Sequence, residues 1–406
     1  MRILCLHQYF CPPTGWGNDR SYQLMQHWAD AGLGIRCITS KAYFPDADDI
    51  RRPEWRRYGQ VEVLILPVAY QQSYSRVRKI WAYLRFAAWA GLAALQERPD
   101  VLWVSITPPP LGWVGGLLRR LMGVPLVLEV VDVWPEVPQG MGLLQDGPLL
   151  WLLKRLARWT YLQARQVYVL SPGMAAQLQP YRLPAHISLS VSLNGTDLAQ
   201  FVPRSAGPVG GPPPLRMVYT GALGQANAVH EMILALYVWK TAGHTHWSLD
   251  LYGWGKEAGL IAQLIQEYRL ADQVRLHAPV TKAMLNERLQ QAHLGLVCFA
   301  PHAVLEANSA NKFYDYLAAG LPVLLNYRGW QAELVEQHRC GYGCPQGDWK
   351  EWLRRLDDLA ADPDALRTMR ANARQLATAQ FDRLQLAQQQ ALRFRQLAAE
   401  TAGIRS

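Results

Sequence analysis

Short apolar runs alternate with amphipathic stretches along nearly the whole chain, which predicts parallel sheets with helices on both faces. In the first half the runs at 2–9, 34–40, 61–68, 100–106, 125–131, 166–170 and 187–193 read as strands. Helical patterns fill the gaps at about 18–31, 76–96, 111–122, 147–164 and 172–178. A Pro- and Gly-rich segment without apolar periodicity, 202–214, then breaks the pattern and reads as a linker. The alternation restarts with strands at 215–220, 247–252, 273–277, 294–299 and 322–327. Helices follow at 228–241, 256–269, 281–292, 311–319, 329–338, 348–360 and 363–379. At 406 residues the chain exceeds what one core serves. The predicted layout is a domain at 1–201, the linker, a second domain at 215–380, and a terminal helix within 381–406 that packs back on either domain.

In open sheets of this kind ligands bind beyond the carboxyl ends of the strands. The loop after 294–299 runs Ala307-Asn308-Ser309-Ala310-Asn311-Lys312-Phe313-Tyr314-Asp315, and Gly320-Leu321-Pro322 ends the helix it opens. Ser309 is expected to cap that helix, whose first-turn amides, with Lys312, make an anion site. Asp315 lies one turn beyond Asn311, placed to accept both hydroxyls of a ribose. An ordinary capped helix with Lys312 and Asp315 in solvent fits the same spacing.

The segment 309–323 reads S-x-N-K-x-x-D-Y-x-A-A-G-x-P-V. It resembles the donor-nucleotide motif of glycosyltransferase family 4, retaining enzymes of the GT-B fold. The resemblance implies an α/β fold of two Rossmann-like parallel-sheet domains facing across a cleft. It carries ribose binding to Asp315 and diphosphate binding to Ser309, Asn311 and Lys312. Leu6–Pro13 followed by Gly15 and Gly17 resembles the family's sugar-binding glycine loop, and Asp132-Val-Trp-Pro-Glu136 its D-L-W-P-E loop. Leu170–Met174 and Leu193–Asp197 resemble later loops of the first domain; Tyr219–Gly224 and Gly253–Lys256 resemble the two glycine turns of the donor domain. Among subfamilies the chain resembles bacterial enzymes of surface-polysaccharide assembly, such as N-acetyl-fucosaminyl transferases.

Two departures stand out. Ala307 occupies a position that is acidic in many members, with Glu306 beside it, and Ala222–His230 contains no Lys or Arg. The diphosphate is therefore assigned to Lys312, the backbone amides around Gly221, Leu223 and Gly224, and Lys256. Glu306 joins Gly15 and Gly17 on the sugar side.

The function these residues imply is retaining transfer of a sugar, such as an N-acetyl amino sugar. The donor expected is a nucleotide diphosphate sugar, UDP-linked, and the acceptor a glycan or a polyprenyl-diphosphate-linked sugar. No D-x-D motif ends a strand. Transfer without a metal, and with no cofactor besides the nucleotide-sugar co-substrate, is expected. Asp132 is the candidate base or acceptor-orienting group, against the plainer role of helix cap or ion-pair partner. His7 is the second catalytic candidate, against a core histidine. Glu136 either pairs with an arginine or faces the acceptor. The competing readings are a nucleotide-sugar 2-epimerase of the same architecture and a degenerate homologue that binds at membranes. A dehydrogenase would need a G-x-G-x-x-G turn that the first loop lacks.

Charge narrows the partners. The net charge is +9, and residues 1–200 hold 20 Lys/Arg against 14 Asp/Glu. That excess suits a diphosphate or an anionic membrane surface, and no motif suggests nucleic acid. Six cysteines without C-x-x-C spacing read as free thiols of a reducing cytoplasm. Met1-Arg2 leads straight into a strand with no signal-peptide pattern, and no 18-residue apolar run spans a membrane. Residues 76–95 and 149–165 are helical patterns with surplus aromatics and a basic flank. In the first, Arg78 and Arg85 oppose Val77, Ile80, Leu84 and Leu95, so one face is expected on the sheet and the rest at a headgroup layer. The expected location is cytoplasmic, with peripheral contact to the inner face of the membrane.

Overall fold

The computed structural model describes residues 1–15, 18–71, 73–203 and 214–405. It separates into two compact units, Met1–Leu193 with Arg383–Ser406, and Asn194–Asp382.

The first unit runs β1 (Arg2–Leu6), α1 (Arg20–Asp30), β2 (Gly34–Ser40), β3 (Glu54–Tyr58), β4 (Val61–Leu66), α2 (Arg76–Ala94) and β5 (Val101–Ser105). It continues α3 (Pro110–Met122), β6 (Leu126–Val130), α4 (Glu136–Gly140), α5 (Pro148–Leu162), β7 (Gln166–Val169), α6 (Pro172–Leu178) and β8 (Ser188–Val191). The sheet order is β3-β4-β2-β1-β5-β6-β7-β8, with β3 antiparallel to β4 and the other pairs parallel. Strands buried on both faces need apolar runs, and β1 and β5 have them, while β6 interrupts its run with Glu129, buried against Arg20. The hairpin strand β3 was not predicted because an edge strand needs no such run, and Glu54-Trp-Arg-Arg-Tyr58 is half exposed.

Helix α2 corrects one expectation. Its sheet side is the small-residue face Ala82, Phe86, Ala87, Ala90 and Ala94, while Val77, Ile80 and Leu84 point outward. Small side chains let α2 come close to α3: a Cβ at Gly91 would stand 2.9 Å from Val114.

The second unit runs β9 (Leu215–Thr220), α7 (Val229–Thr241), β10 (Trp247–Tyr252), α8 (Ala258–Glu267), β11 (Val274–His277), α9 (Lys282–Leu289) and β12 (Leu294–Val297). Then come α10 (Asn311–Ala318), β13 (Val323–Leu325), α11 (Trp330–Gln337), β14 (Gly341–Gly343), α12 (Trp349–Ala361) and α13 (Pro363–Gln380). Its order is β11-β10-β9-β12-β13-β14, parallel throughout. In both sheets the strand order reverses at the middle, between β1 and β5 and between β9 and β12, which opens a crevice at the carboxyl ends.

The last helix, α14 (Arg383–Arg405), groups with the first unit. Ala387, Ala391, Phe394 and Leu397 make its buried stripe, Phe394 meets Trp28 edge-on, and Gln390 accepts the Trp28 indole N–H at 3.1 Å. Residues 204–213 of the expected linker lie outside the described residues. Asn194–Asp382 clusters as the second unit, so Asn194–Asp197 of the loop expected in the first domain falls in the second. All six cysteines are buried thiols.

Candidate active site

In the second unit two glycine turns lie against each other at the switch point. Gly221, after β9, has φ +123°, open to glycine and rarely to other residues. A Cβ at Gly253 would stand 1.9 Å from the Gly221 carbonyl oxygen, so the second turn packs backbone on backbone. The Gly221 N–H donates to the Tyr252 carbonyl at 2.9 Å, and the Leu223 N–H to the Trp254 carbonyl at 2.8 Å. These two amides are committed to the fold, which removes them as diphosphate donors; Leu223 is wholly buried. Gly224 faces open space. Lys256 is exposed after β10.

Across the switch point, α10 brings Lys312 under the first turn. Its ammonium lies 3.8 Å over the Tyr219 ring, and a Cβ at Gly221 would be 3.3 Å from Nζ. It pairs with no carboxylate among the described residues. Burial pushes its pKa down to about 7. A cation held half-dehydrated and unpaired at a helix start is poised for an anion.

The rest of the motif is arranged differently from the sequence expectation. Ser309 does not cap α10: the N-cap is Ala310, and the Ser309 hydroxyl instead bonds the Tyr314 hydroxyl at 2.6 Å. Asn194 Nδ2 donates to the Ser309 carbonyl at 2.8 Å and fixes the loop. Asn311 opens the helix with its amide oxygen buried and without a hydrogen-bond partner among the described residues. Asp315 is 3% exposed rather than solvated; it accepts from the Thr196 hydroxyl at 3.0 Å and is salt-bridged to Lys282. A ribose would meet this carboxylate already half satisfied. Glu306 is half-buried, lies against Gly329, and has no cation partner among the described residues.

In the first unit His7 follows β1, is 9% exposed, and packs edge-on to Trp103. Burial, then the Arg20 charge, pushes its pKa down to about 3, so the ring is neutral and is a poor proton acceptor. Arg20 itself is paired with Glu129 at 2.8 Å, both buried. Asp132 follows β6. It makes no ion pair among the described residues and caps no helix, since Pro135 is the N-cap of α4. Burial raises its pKa from the ordinary aspartate value. Glu136 pairs with no arginine among the described residues; its carboxylate accepts from Tyr181 Oη at 2.6 Å. Gly15 is small for the protein's own sake, because a Cβ there would meet the Tyr43 carbonyl at 2.6 Å. Gly17 lies outside the described residues.

Comparison with known proteins decides what this pair of sites is. Residues 17–188 match a glycosyl transferase 4-like domain, and residues 212–376 match the glycosyl transferases group 1 domain. The chain is a glycosyltransferase. It belongs to the transferases of EC 2.4, and its two units have the GT-B fold. Sucrose-phosphate synthase from Thermosynechococcus elongatus is similar with a TM-score of 0.81 at 19% identity, covering 98% of this chain and 99% of that one. Anabaena HepE in complex with UDP has a TM-score of 0.70 at 18% identity, covering 98% and 100%. WaaG, a glycosyltransferase involved in lipopolysaccharide biosynthesis, has a TM-score of 0.66 at 16% identity, covering 96% and 98%. A search of curated proteins found no significant match.

Sequence reasoning placed Tyr219, Asn194 and Thr196 in family-like loops without pairing them with Lys312, Ser309 and Asp315, and it missed Lys282. Thr196 and Lys282 lie 119 and 33 residues from Asp315, a separation that no local pattern reports.

Proposed function

We propose that this enzyme is a retaining, metal-independent glycosyltransferase that takes a sugar from a UDP-linked donor and passes it to a glycan or lipid-diphosphate-linked acceptor in cell-surface polysaccharide assembly. The observation that carries the proposal is Lys312, an unpaired and partly dehydrated cation at the switch point of the second unit. UDP is favoured as the carrier because Anabaena HepE was solved with UDP and with UDP-glucose. The cell-surface assignment draws on WaaG, whose setting is lipopolysaccharide biosynthesis. The motif's resemblance to N-acetyl-fucosaminyl transferases makes UDP-linked N-acetyl amino sugars the first donors to try.

As the bond from the anomeric carbon to the diphosphate oxygen breaks, negative charge grows on the leaving group. Lys312 and the start of α10 meet that charge. The acceptor oxygen forms its bond on the face the diphosphate leaves, and its proton passes to the departing phosphate oxygen. Asp132 orients the acceptor hydroxyl, and the neutral His7 ring holds a hydrogen bond rather than a proton. Asp315 and Glu306 are assigned to the ribose and the sugar.

The first unit is proposed to rest on an anionic membrane. Helices α2, α3 and α5 carry nine Lys/Arg and no Asp or Glu, and expose Trp81, Leu92, Leu121 and Trp151. Among the described residues no helix is long and apolar enough to cross a bilayer. The test of the proposal is a screen of UDP-, GDP- and dTDP-sugars for thermal stabilisation, then transfer assays with and without EDTA. UDP compounds are expected to stabilise, with turnover unchanged in EDTA. Activity lost in EDTA and restored by manganese overturns the metal-free part.

A further inference from the structure

Where α14 lies beside β7 and β8, the first unit leaves an open groove of about 460 Å³. That is room for roughly fifteen waters and falls within the range of small-ligand sites. Gln166 and Ser188 are the first residues of β7 and β8, so the groove begins at the amino end of the sheet. The crevice that holds His7 and Asp132 is at the opposite end. Ser188, Ser190 and Ser192 line the groove two residues apart, on one face of the edge strand and just past it. Gln166 and Tyr168 come from β7, and Gln390 and Arg393 from α14. Gln166, Tyr168, Ser192 and Gln390 are buried.

These polar groups orient one another. The Trp28 indole N–H and the Arg393 guanidinium can only donate. The first donates to Gln390 Oε1 and the second to Gln166 Oε1, each at 3.1 Å. Each amide therefore turns its NH2 toward a serine. Gln390 Nε2 donates to Ser192 Oγ at 2.9 Å, and Gln166 Nε2 donates to Ser190 Oγ at 3.1 Å. Both serine oxygens accept, so each hydroxyl still has its hydrogen to give, and no acceptor takes it among the described residues. The Tyr168 hydroxyl makes no hydrogen bond among the described residues, and only burial and the Arg393 charge act on it. Three hydroxyl donors side by side call for a ligand rich in oxygen acceptors. An anion gains little there, because Arg393 is already paired with Glu400 at 3.2 Å. Hydrocarbon would leave the donors stranded. Sugar hydroxyls, which accept and donate, match the lining.

We propose that this groove is a second carbohydrate site, which binds a neutral oligosaccharide apart from the reaction centre through the hydroxyls of Tyr168, Ser190 and Ser192. The inference rests on the proposed glycan acceptor, which brings such a chain to the enzyme.

The test is saturation-transfer difference NMR on the full chain with maltotriose, chitotriose and cellotriose, followed by titration calorimetry. At least one trisaccharide is expected to bind, with an affinity unchanged by added salt and no displacement by inorganic phosphate. Tyr168→Phe removes a hydroxyl that has no protein partner. It should leave thermal unfolding as in the wild type and weaken binding about two- to tenfold, the loss of one neutral hydrogen bond. Ser190→Leu removes a donor and fills the groove, and should weaken binding at least about tenfold. If that variant does not fold, Ser188→Leu narrows the groove from the start of β8 and carries the same expectation. Asp132→Asn should bind the trisaccharide as the wild type does. Failure of all three sugars to bind, displacement by phosphate, wild-type affinity in the groove variants, or binding lost in Asp132→Asn overturns the proposal. UDP release, measured in parallel, separates the two readings: sugar bound in the groove of an enzyme that transfers to no glycan faults the proposed acceptor and leaves the groove standing.

Discussion

At the scale of single residues the account turns on two ionisable groups held away from their ordinary behaviour. Lys312 sits between a glycine turn and a tyrosine ring, and burial pushes its pKa to about 7. The unfolded chain would hold that proton up to about 10.4. Between these values the unfolded state binds more protons, so this residue's share of stability rises with pH across that window. Below pH 7 both states are charged and the full cost of burial is present. Lys312→Met is therefore expected to raise the thermal midpoint at pH 6, with the gain shrinking as pH approaches 10.

The same variant should lose UDP-induced stabilisation. In the wild type UDP restores the charge, so its affinity should fall above pH 7 by up to tenfold per unit. Calorimetry at pH 8 in buffers of different ionisation enthalpy should report proton uptake on binding. No net uptake removes the ammonium from the site.

Asp132 is the second group. Its burial raises the pKa, so kcat/KM should decline on the acid side at a higher pH than an exposed aspartate would give. Asp132→Asn should reduce turnover about 10- to 100-fold, the loss of one orienting hydrogen bond to a charged group, and leave UDP binding intact. Equal turnover in the variant would return Asp132 to a structural part.

Among elements, the glycine turns pack backbone on backbone in the second unit, and α14 buries its apolar stripe in the first. Gly253→Ala puts a Cβ against a backbone oxygen of the Gly221 turn, with no side chain to move aside. A loss above about 4 kcal/mol, or no soluble protein, is expected, and chemical denaturation measures it. Phe394→Ala empties a buried aromatic contact with Trp28 and should cost about 3–5 kcal/mol in the first unit.

The elements were largely legible in the sequence. Strand and helix centres follow from apolar period, and β2, β9 and β10 begin and end where the pattern does. Edge strands β3 and β14 were not legible, because a strand at a sheet margin needs little apolar surface. The burial face of α2 was misread for a related reason. Hydrophobic pattern marks large aliphatics, whereas alanines and Gly91 admit the close approach to α3. Position 309–323 announced a ligand loop, yet the partners of Asp315 come from Thr196 and Lys282, which only folding brings together. Counting Lys and Arg after Gly221 suggested a shortage of positive charge; it did not show that Lys312 itself reaches beneath that turn.

For the whole molecule, the charge asymmetry and the exposed apolar helices of the first unit predict membrane binding that weakens with salt. Sedimentation with phosphatidylglycerol vesicles at low salt should retain the enzyme, and Trp81→Glu with Trp151→Glu should release it. Indifference to vesicles would confine the acceptor to soluble glycans.

The central claim is that this chain moves a sugar from a nucleotide to a separate acceptor. The most direct measurement follows UDP and the sugar product by NMR, with UDP-N-acetyl amino sugars as donors, in the presence and absence of a prenyl-diphosphate sugar. UDP release that depends on the acceptor, with a product that keeps the donor's anomeric configuration, is the predicted result. An epimerised sugar formed without acceptor would contradict it, and an inverted product would overturn its retaining part.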